Sequence, residues 1–272
     1  MIADQRIDVG GHELRCRSEG PAHECAAEAP TFVCLHGLVD TLEIWDKLAP
    51  ALALRGHVVR FDQRGHGESD APPGACTRED LAADVVAMLD AHRAPRAILV
   101  GHSMGGIVSL ATALRYPDRI AGLVLLGTAS QCNERTAAWY ERIAEAGERD
   151  GTDGLRRAIY GARSRRPVAG NARGIAAVTR MLGSLHSRPL TPELEKLPCP
   201  VLLLVGEKDP MGSRATEIIS ESLPAGAATL QVLPGCGHWI HVEAAAAVTD
   251  AIDRWLSATA SEWSNRVEED GT

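Results

Sequence analysis

Short apolar runs alternate along the chain with longer segments of helical periodicity, and this alternation restricts the fold more than any other feature. The runs have the length and composition of buried strands and cover residues 31–37, 57–62, 97–102, 120–127, 200–207 and 228–235. The helical segments place apolar residues three and four positions apart over residues 42–54, 78–92, 104–116, 214–222 and 242–258. Because parallel strands need crossover connections, this order predicts an α/β fold with a mostly parallel central sheet flanked by helices.

Three regions fall outside this alternation. Residues 5–9 and 12–17 meet at two glycines and predict a hairpin that leads into the sheet. Residues 130–196 are polar and rich in arginine, and their short helical patterns predict a helical cap inserted into the fold. The predicted core therefore comprises residues 1–129 and 197–260, and the acidic residues 261–272 are expected to form a flexible tail.

Composition excludes several classes of protein. The 272 residues, 45% hydrophobic and 24% charged, suffice for one large α/β domain. A formal net charge of −8 argues against nucleic acid or anionic lipid as a partner. We expect a cytoplasmic protein, because the sequence has neither a secretory signal pattern nor the roughly 20 uninterrupted apolar residues of a bilayer span. Seven scattered cysteines without a CxxC pair favour reduced thiols over disulfides or a zinc site.

A lone serine lies where one predicted strand turns into a helix. The segment Gly-His-Ser-Met-Gly at residues 101–105 fits the G-x-S-x-G pattern of a nucleophile elbow, which would expose the Ser103 hydroxyl above the sheet. By itself the pattern is weak, because a glycine-rich turn also serves tight packing or binds an anion at a helix N-terminus. A nucleotide site is disfavoured, since neither a Walker lysine nor a G-x-G-x-x-G pattern follows a strand.

Two later residues could activate this serine. A serine hydroxyl becomes a nucleophile when a histidine takes its proton and a carboxylate orients the imidazole. Asp209 follows a late strand and His238 follows the last one, which gives the order Ser, Asp, His at the carboxyl ends of strands. His241 is the competing base and Glu134 the alternative acid. We favour His238, because it directly follows a Gly-Cys-Gly turn.

Nearly the whole chain resembles the α/β-hydrolase superfamily. The resemblance is carried by the motifs at residues 36–40, 61–70, 101–106, 206–210 and 235–243. It implies the α/β-hydrolase fold, with the motif at residues 61–70 acting as loop scaffolding. The last motif departs from the usual pattern, since no proline follows Glu243 shortly before the next predicted helix.

The resemblance also implies an oxyanion hole. In this fold one backbone N–H follows the nucleophile and a second comes from the loop after an early strand, which points to Met104 and Leu38. His36 is then a support for that loop, and His102 is structural because it points away from a serine at the apex of the turn.

The expected reaction is hydrolysis of a small ester or lactone through an acyl-enzyme formed on Ser103. The cap pattern is similar to the branch that includes 3-oxoadipate enol-lactonases and small carboxylesterases. Alternatives are a carbon–carbon bond hydrolase, a biosynthetic tailoring hydrolase or cyclase, and a small-molecule receptor with slow or absent turnover. Dehalogenases and epoxide hydrolases are disfavoured because the elbow carries serine in place of aspartate. The expected partner is a small-molecule substrate, no cofactor or metal is implied, and self-association into a homo-oligomer is left open.

The substrate pocket is expected between the cap and the sheet. Its predicted walls are Trp45, Trp139, Tyr140, Arg163 and Trp239, with the side chain of Met104 as a further apolar candidate. Arg163, Arg165 and Arg166 form a cationic cluster that is typical of a solvated lid surface. The alternative is that one of them reaches inward and binds a substrate carboxylate.

Overall fold

One twisted sheet organises the protein. A computed structural model describes residues 4–21 and 29–269, with side chains through Thr259. Within those ranges the strands are β1 (Gln5–Asp8), β2 (Glu13–Glu19), β3 (Thr31–Leu35), β4 (His57–Phe61), β5 (Ala97–His102), β6 (Ile120–Leu126), β7 (Val201–Gly206) and β8 (Ala228–Leu233). They pair in the order β1-β2-β4-β3-β5-β6-β7-β8. The predicted hairpin and mostly parallel sheet are confirmed, since β1–β2 and β2–β4 are antiparallel and the remaining pairs are parallel.

Helices cover both faces of the sheet. They are α1 (Ala49–Ala53), α2 (Arg78–Ala91), α3 (Met104–Arg115), α4 (Glu134–Tyr160), α5 (Ala172–Gly183), α6 (Arg214–Ser222), α7 (Ile240–Glu243) and α8 (Ala245–Glu269). Alternate strand side chains face opposite layers, as the period of two requires. Val33 and Leu35 pack into the cluster that includes α2 and α3, whereas Phe32 and Cys34 pack into the cluster that includes α1 and α8.

The segment between β6 and β7 is helical. The Asn133 side chain caps α4 by accepting from the Thr136 N–H, and α4 bends at Gly151, whose φ of 66° lies outside the helical region. Asn171 caps α5 in the same way, and α5 packs against α4. Apolar residues of both helices, among them Ile143 and Ile175, join the core cluster beneath them.

Two ends of the fold differ from the sequence pattern. β8 is half exposed because it is the edge strand, although its apolar run predicted a buried one. α8 extends to Glu269 and so includes part of the segment expected to be a tail, while residues 270–272 lie outside the described residues. Cys25 also lies outside them, and the other six cysteines are free thiols. Within the described residues, no helix is long and apolar enough to cross a membrane.

Candidate active site

Ser103 occupies the turn between β5 and α3 in a strained conformation. Its φ of 51° and ψ of −112° lie in a region that costs an L-residue about 1–3 kcal/mol. The Ser103 N–H donates to the Leu126 carbonyl at 2.9 Å, and the Thr128 hydroxyl donates to the Ser103 carbonyl at 2.7 Å. These bonds from strand β6 and the residues just after it hold the backbone there, so the sharp elbow that the motif predicts is present.

The glycines around this serine are required by close packing. A Cβ built on Gly105 would overlap the Leu35 carbonyl of β3, and one on Gly106 would lie 2.6 Å from Thr128. Any side chain at either position would push α3 away from the sheet and displace Ser103.

His238 and Asp209 form a direct pair in the loops after β8 and β7. The distance from His238 Nδ1 to Asp209 Oδ2 is 2.8 Å. Because a carboxylate can only accept, the Nδ1–H is the donor, and a neutral ring then leaves Nε2 free of a proton. The second Asp209 oxygen accepts from the Met211 N–H at 2.9 Å. Asp209 is buried and His238 almost so, which protects their hydrogen bond from water.

The loop that carries His238 is held from both sides. The Glu243 carboxylate accepts from the N–H groups of Gly237 at 2.7 Å and Trp239 at 3.2 Å. The His238 carbonyl lies 3.0 Å from His102 Nε2, which donates to it. The sequence analysis gave Glu243 no such role. Its spacing of five residues from His238 was the available signal.

Gly127 is a second residue that the sequence analysis did not single out. It directly follows β6 with a φ of 54°, and a Cβ there would lie 2.9 Å from Asp209 Oδ2 and 3.3 Å from His238 Nδ1. The Asp–His pair therefore packs directly against this backbone, and only glycine leaves room for it.

The competing histidines have structural surroundings. His241 is fully buried between the rings of Trp45 and His102, and neither of its nitrogens has a hydrogen-bond partner. Burial lowers the pKa of His241 to about 3 and holds the pKa of His102 well below its usual range. His36 is bonded to Gly37 and Gln63, and burial lowers its pKa to about 4. Glu134, the alternative acid, is exposed at the start of α4.

Leu38 and Met104, the predicted oxyanion donors, lie in the turn after β3 and at the start of α3. The Asp40 N–H closes the turn onto the Gly37 carbonyl at 3.2 Å. Val39 within it has a φ of 61°, which is unusual for a β-branched residue. Met104 is the first residue of α3, where a backbone N–H has no acceptor within the helix.

A cavity of about 770 Å³ joins these elements. Ser103, His238 and Leu38 line it, as do the predicted wall residues Trp139, Tyr140 and Trp239. Trp45 was expected there and lies instead in the core, fully buried against His241, because its 3₁₀ turn faces the α8 side of the sheet. The Met104 side chain is likewise buried in the core.

Two arginines of the predicted cationic cluster are exposed, and the third forms an ion pair. Arg163 and Arg165 are exposed, and Arg163 does not contribute to the cavity wall, so the predicted pocket assignment does not match its position. Arg166 turns inward and pairs with Asp40, at 2.6 Å between Nη2 and Oδ1. Among the described residues, no group of three or more His, Cys, Asp or Glu residues is arranged to hold a metal ion.

The motif at residues 61–70 lies in a hydrogen-bonded loop beside the sheet. Asp62 accepts from the N–H groups of Leu42 at 2.7 Å and Glu68 at 3.0 Å, and Arg64 forms a forked pair with Asp84. These contacts support the scaffolding interpretation of that motif.

Comparison with known proteins agrees with this architecture. Residues 30–152 match the family described as the alpha/beta hydrolase fold. The crystal structure of a hydrolase from Pseudomonas aeruginosa is 30% identical with a TM-score of 0.79, and the match covers 94% of this chain and 97% of that one. The enol-lactonase from Burkholderia xenovorans is 26% identical with a TM-score of 0.81, over 93% of this chain and all of that one. A 3-oxoadipate enol-lactonase from Acinetobacter baylyi is 27% identical, over 84% of this chain and 88% of that protein.

Fold, motifs and relatives together define a hydrolase of the α/β type, and the chain belongs to the α/β-hydrolase superfamily. Within that superfamily its similarity extends to the enol-lactonase branch, as the sequence motifs predict.

Proposed function

We propose that this enzyme hydrolyses a small carboxylic ester or lactone, with Ser103 as nucleophile, His238 as general base and acid, and Asp209 as the residue that orients His238. The observation that carries the proposal is the 2.8 Å bond from His238 Nδ1 to Asp209, in a site where His238 and Ser103 line one cavity. This bond sets the tautomer in which Nε2 can take a proton.

The proposed reaction has two halves. As Ser103 Oγ attacks the substrate carbonyl, His238 Nε2 takes the hydroxyl proton and then gives it to the departing alkoxide oxygen. In the second half His238 takes a proton from water, the hydroxide attacks the acyl carbon, and the proton returns to Ser103 Oγ. In a lactone the alkoxide stays attached to the acyl group, so a single hydroxy acid is released. From an enol lactone the released enol tautomerises to a keto acid.

We propose that the N–H groups of Leu38 and Met104 stabilise the oxyanion of both tetrahedral intermediates. The strained turn at Val39 supports this assignment, since strain of this kind is maintained where a donor must be preorganised. Removal of a single such donor typically costs about 10²–10³ in kcat.

We also propose that residues 130–196 form a cap over a core of residues 1–129 and 197–260, with a small-molecule substrate between them. Side chains from α4 and α5 at the cavity wall, such as Trp139 and Leu182, support this division. The size of the cavity fits a small ligand.

A substrate screen with a serine variant tests the proposal. Purified protein is assayed on p-nitrophenyl esters of increasing chain length, on lactones and on a vinylogous diketone. We expect Ser103→Ala to lower turnover by roughly 10³-fold or more while the melting temperature stays close to that of the wild type. Near wild-type turnover by the variant would exclude the covalent route, and activity on the diketone alone would redirect the proposal to carbon–carbon bond cleavage.

A further inference from the structure

The cavity offers a substrate no free positive charge. Among the described residues that line it, none is lysine or arginine, and much of the wall is apolar, including Ile107, Trp139, Ile159, Leu182, Leu185 and Ile218. An ionised group that leaves water for such a wall loses its hydration without gaining a counter-charge. The neutral imidazole of His102 offers no such counter-charge either, because burial holds its pKa well below the usual range.

A guanidinium packs against three residues of the cavity wall, and it already has an anionic partner. Arg166 Nη2 is 2.6 Å from Asp40 Oδ1, and the Arg166 guanidinium stacks over the rings of Trp239 at 4.2 Å and Tyr160 at 5.0 Å. The second Asp40 oxygen accepts from the Trp239 indole N–H at 3.1 Å. Asp40 is buried and both of its oxygens are bonded, so this carboxylate is fixed where it neutralises Arg166.

The position of Asp40 places its negative charge where a substrate would meet it. Asp40, Tyr160 and Trp239 all line the cavity, so the carboxylate is part of the wall that a substrate meets. A substrate carboxylate near Arg166 would also be near Asp40 and would be repelled by it. Like charges brought together at a dry interface repel each other, and this repulsion rejects the wrong ligand.

On the basis of the proposed function, we propose that this site selects substrates whose acyl portion is uncharged, and that Asp40 is the specificity-determining residue that withholds Arg166 from a substrate carboxylate. The preferred class is a neutral, largely apolar ester or lactone.

Two esters of matched shape test the inference. Mono-p-nitrophenyl adipate carries a terminal carboxylate, and p-nitrophenyl 6-methylheptanoate replaces it with an isopropyl group of similar size. We expect kcat/KM of the wild type to favour the neutral ester by about 50-fold or more. The ratio is measured within each variant, so a loss common to both substrates cancels.

Charge variants then assign the selectivity. Asp40→Asn leaves Arg166 unpaired and should shrink the ratio by about tenfold or more, equivalent to about 1.4 kcal/mol. Arg166→Gln leaves Asp40 uncompensated and should keep the ratio at or above the wild-type value. The double variant Asp40→Asn, Arg166→Gln is the matched control, and it should return the ratio towards that of the wild type because no free cation remains.

Several results would overturn the inference. They are a wild-type ratio near one, a wild-type preference for the adipate ester, and an Asp40→Asn ratio within twofold of the wild type. If Asp40→Asn does not fold, the ratios of the wild type and of Arg166→Gln still test whether the site disfavours the charged ester. Ser103-dependent hydrolysis of the neutral ester distinguishes failure of this inference from failure of the proposed function. If that hydrolysis is absent, both proposals are wrong. If it is present and Asp40→Asn leaves the ratio unchanged, only the inference about selectivity is rejected.

Discussion

At the level of single residues, the site depends on which of two neighbouring histidines carries the proton. His238 has a carboxylate partner at 2.8 Å, whereas His241 is enclosed by Trp45 and His102 with both nitrogens unpaired. A general base needs an orienting partner and access to the reacting proton. These surroundings favour His238 as the general base. The Gly-Cys-Gly turn before it led the sequence analysis to the same choice.

Replacement of each histidine separates these roles. We expect His238→Ala to lower kcat by about 10³-fold or more, because no group is left to move the proton. We expect His241→Ala to retain most of kcat and to lose stability instead, since it leaves a cavity beside Trp45. Steady-state kinetics and urea unfolding of both variants distinguish the two. If His241→Ala abolished turnover and His238→Ala did not, the catalytic loop would be wrongly assigned.

Sequence reasoning at this scale predicts a residue's position where that position follows from its neighbours along the chain. Ser103, Asp209 and His238 each follow a strand, and parallel strands bring their carboxyl ends to one edge. The pairing of Asp40 with Arg166 joins residues 126 positions apart. It depends on how a loop after α4 folds back over the sheet, and no local pattern in the sequence encodes that path.

At the level of elements, loops at the ends of five adjacent strands build the site. β3 leads to the Leu38 turn, β5 to Ser103, β6 to Gly127, β7 to Asp209 and β8 to His238. The strands fix these loops because each neighbouring pair among them is parallel and hydrogen-bonded. Trp45 was misplaced by the sequence analysis for a related reason. Its 3₁₀ turn packs on the far layer, and apolar character alone does not distinguish a cavity wall from a core.

Gly127→Ala tests how tightly the β6 turn packs against the Asp–His pair. The new Cβ would lie 2.9 Å from Asp209 Oδ2, so we expect the pair to shift and kcat to fall by about tenfold or more. Gly151→Ala is the matched control. It also places alanine at a positive φ, 66° against 54°, but nothing lies within 4 Å of its Cβ.

Both glycine variants should lose roughly 1–3 kcal/mol of stability from backbone strain, and only Gly127→Ala should lose kcat. The measurements are steady-state kinetics on one neutral ester and urea unfolding. Equal kinetic losses in the two variants would mean that the turn at Gly127 does not position the pair.

At the level of the whole molecule, buried neutral histidines make stability depend on pH. Burial lowers the pKa to about 4 for His36 and to about 3 for both His66 and His241. The unfolded chain titrates near 6.5 and therefore binds more protons than the folded protein between these values. The free energy of unfolding should fall as the pH decreases below about 6.5, and the loss should end only near the folded pKa values.

His241→Leu isolates one of these contributions. Below pH 6.5 the stability of the variant should decline less steeply than that of the wild type, by up to about 1.4 kcal/mol per pH unit for the one proton removed. Urea unfolding from pH 7.5 to 4.5 measures both slopes, and the titrating carboxylates contribute equally to each. Parallel curves would show that His241 is not held neutral in the folded protein.

The most direct test of the central claim is the location of a covalent adduct. Diethyl p-nitrophenyl phosphate reacts with an activated serine by releasing p-nitrophenolate and leaving a diethylphosphoryl group on the oxygen. We expect one equivalent of adduct, mapped by peptide mass spectrometry to Ser103, with esterase activity lost in proportion, and no adduct in Ser103→Ala. An adduct on another residue, or full activity in protein labelled at Ser103, would contradict the account.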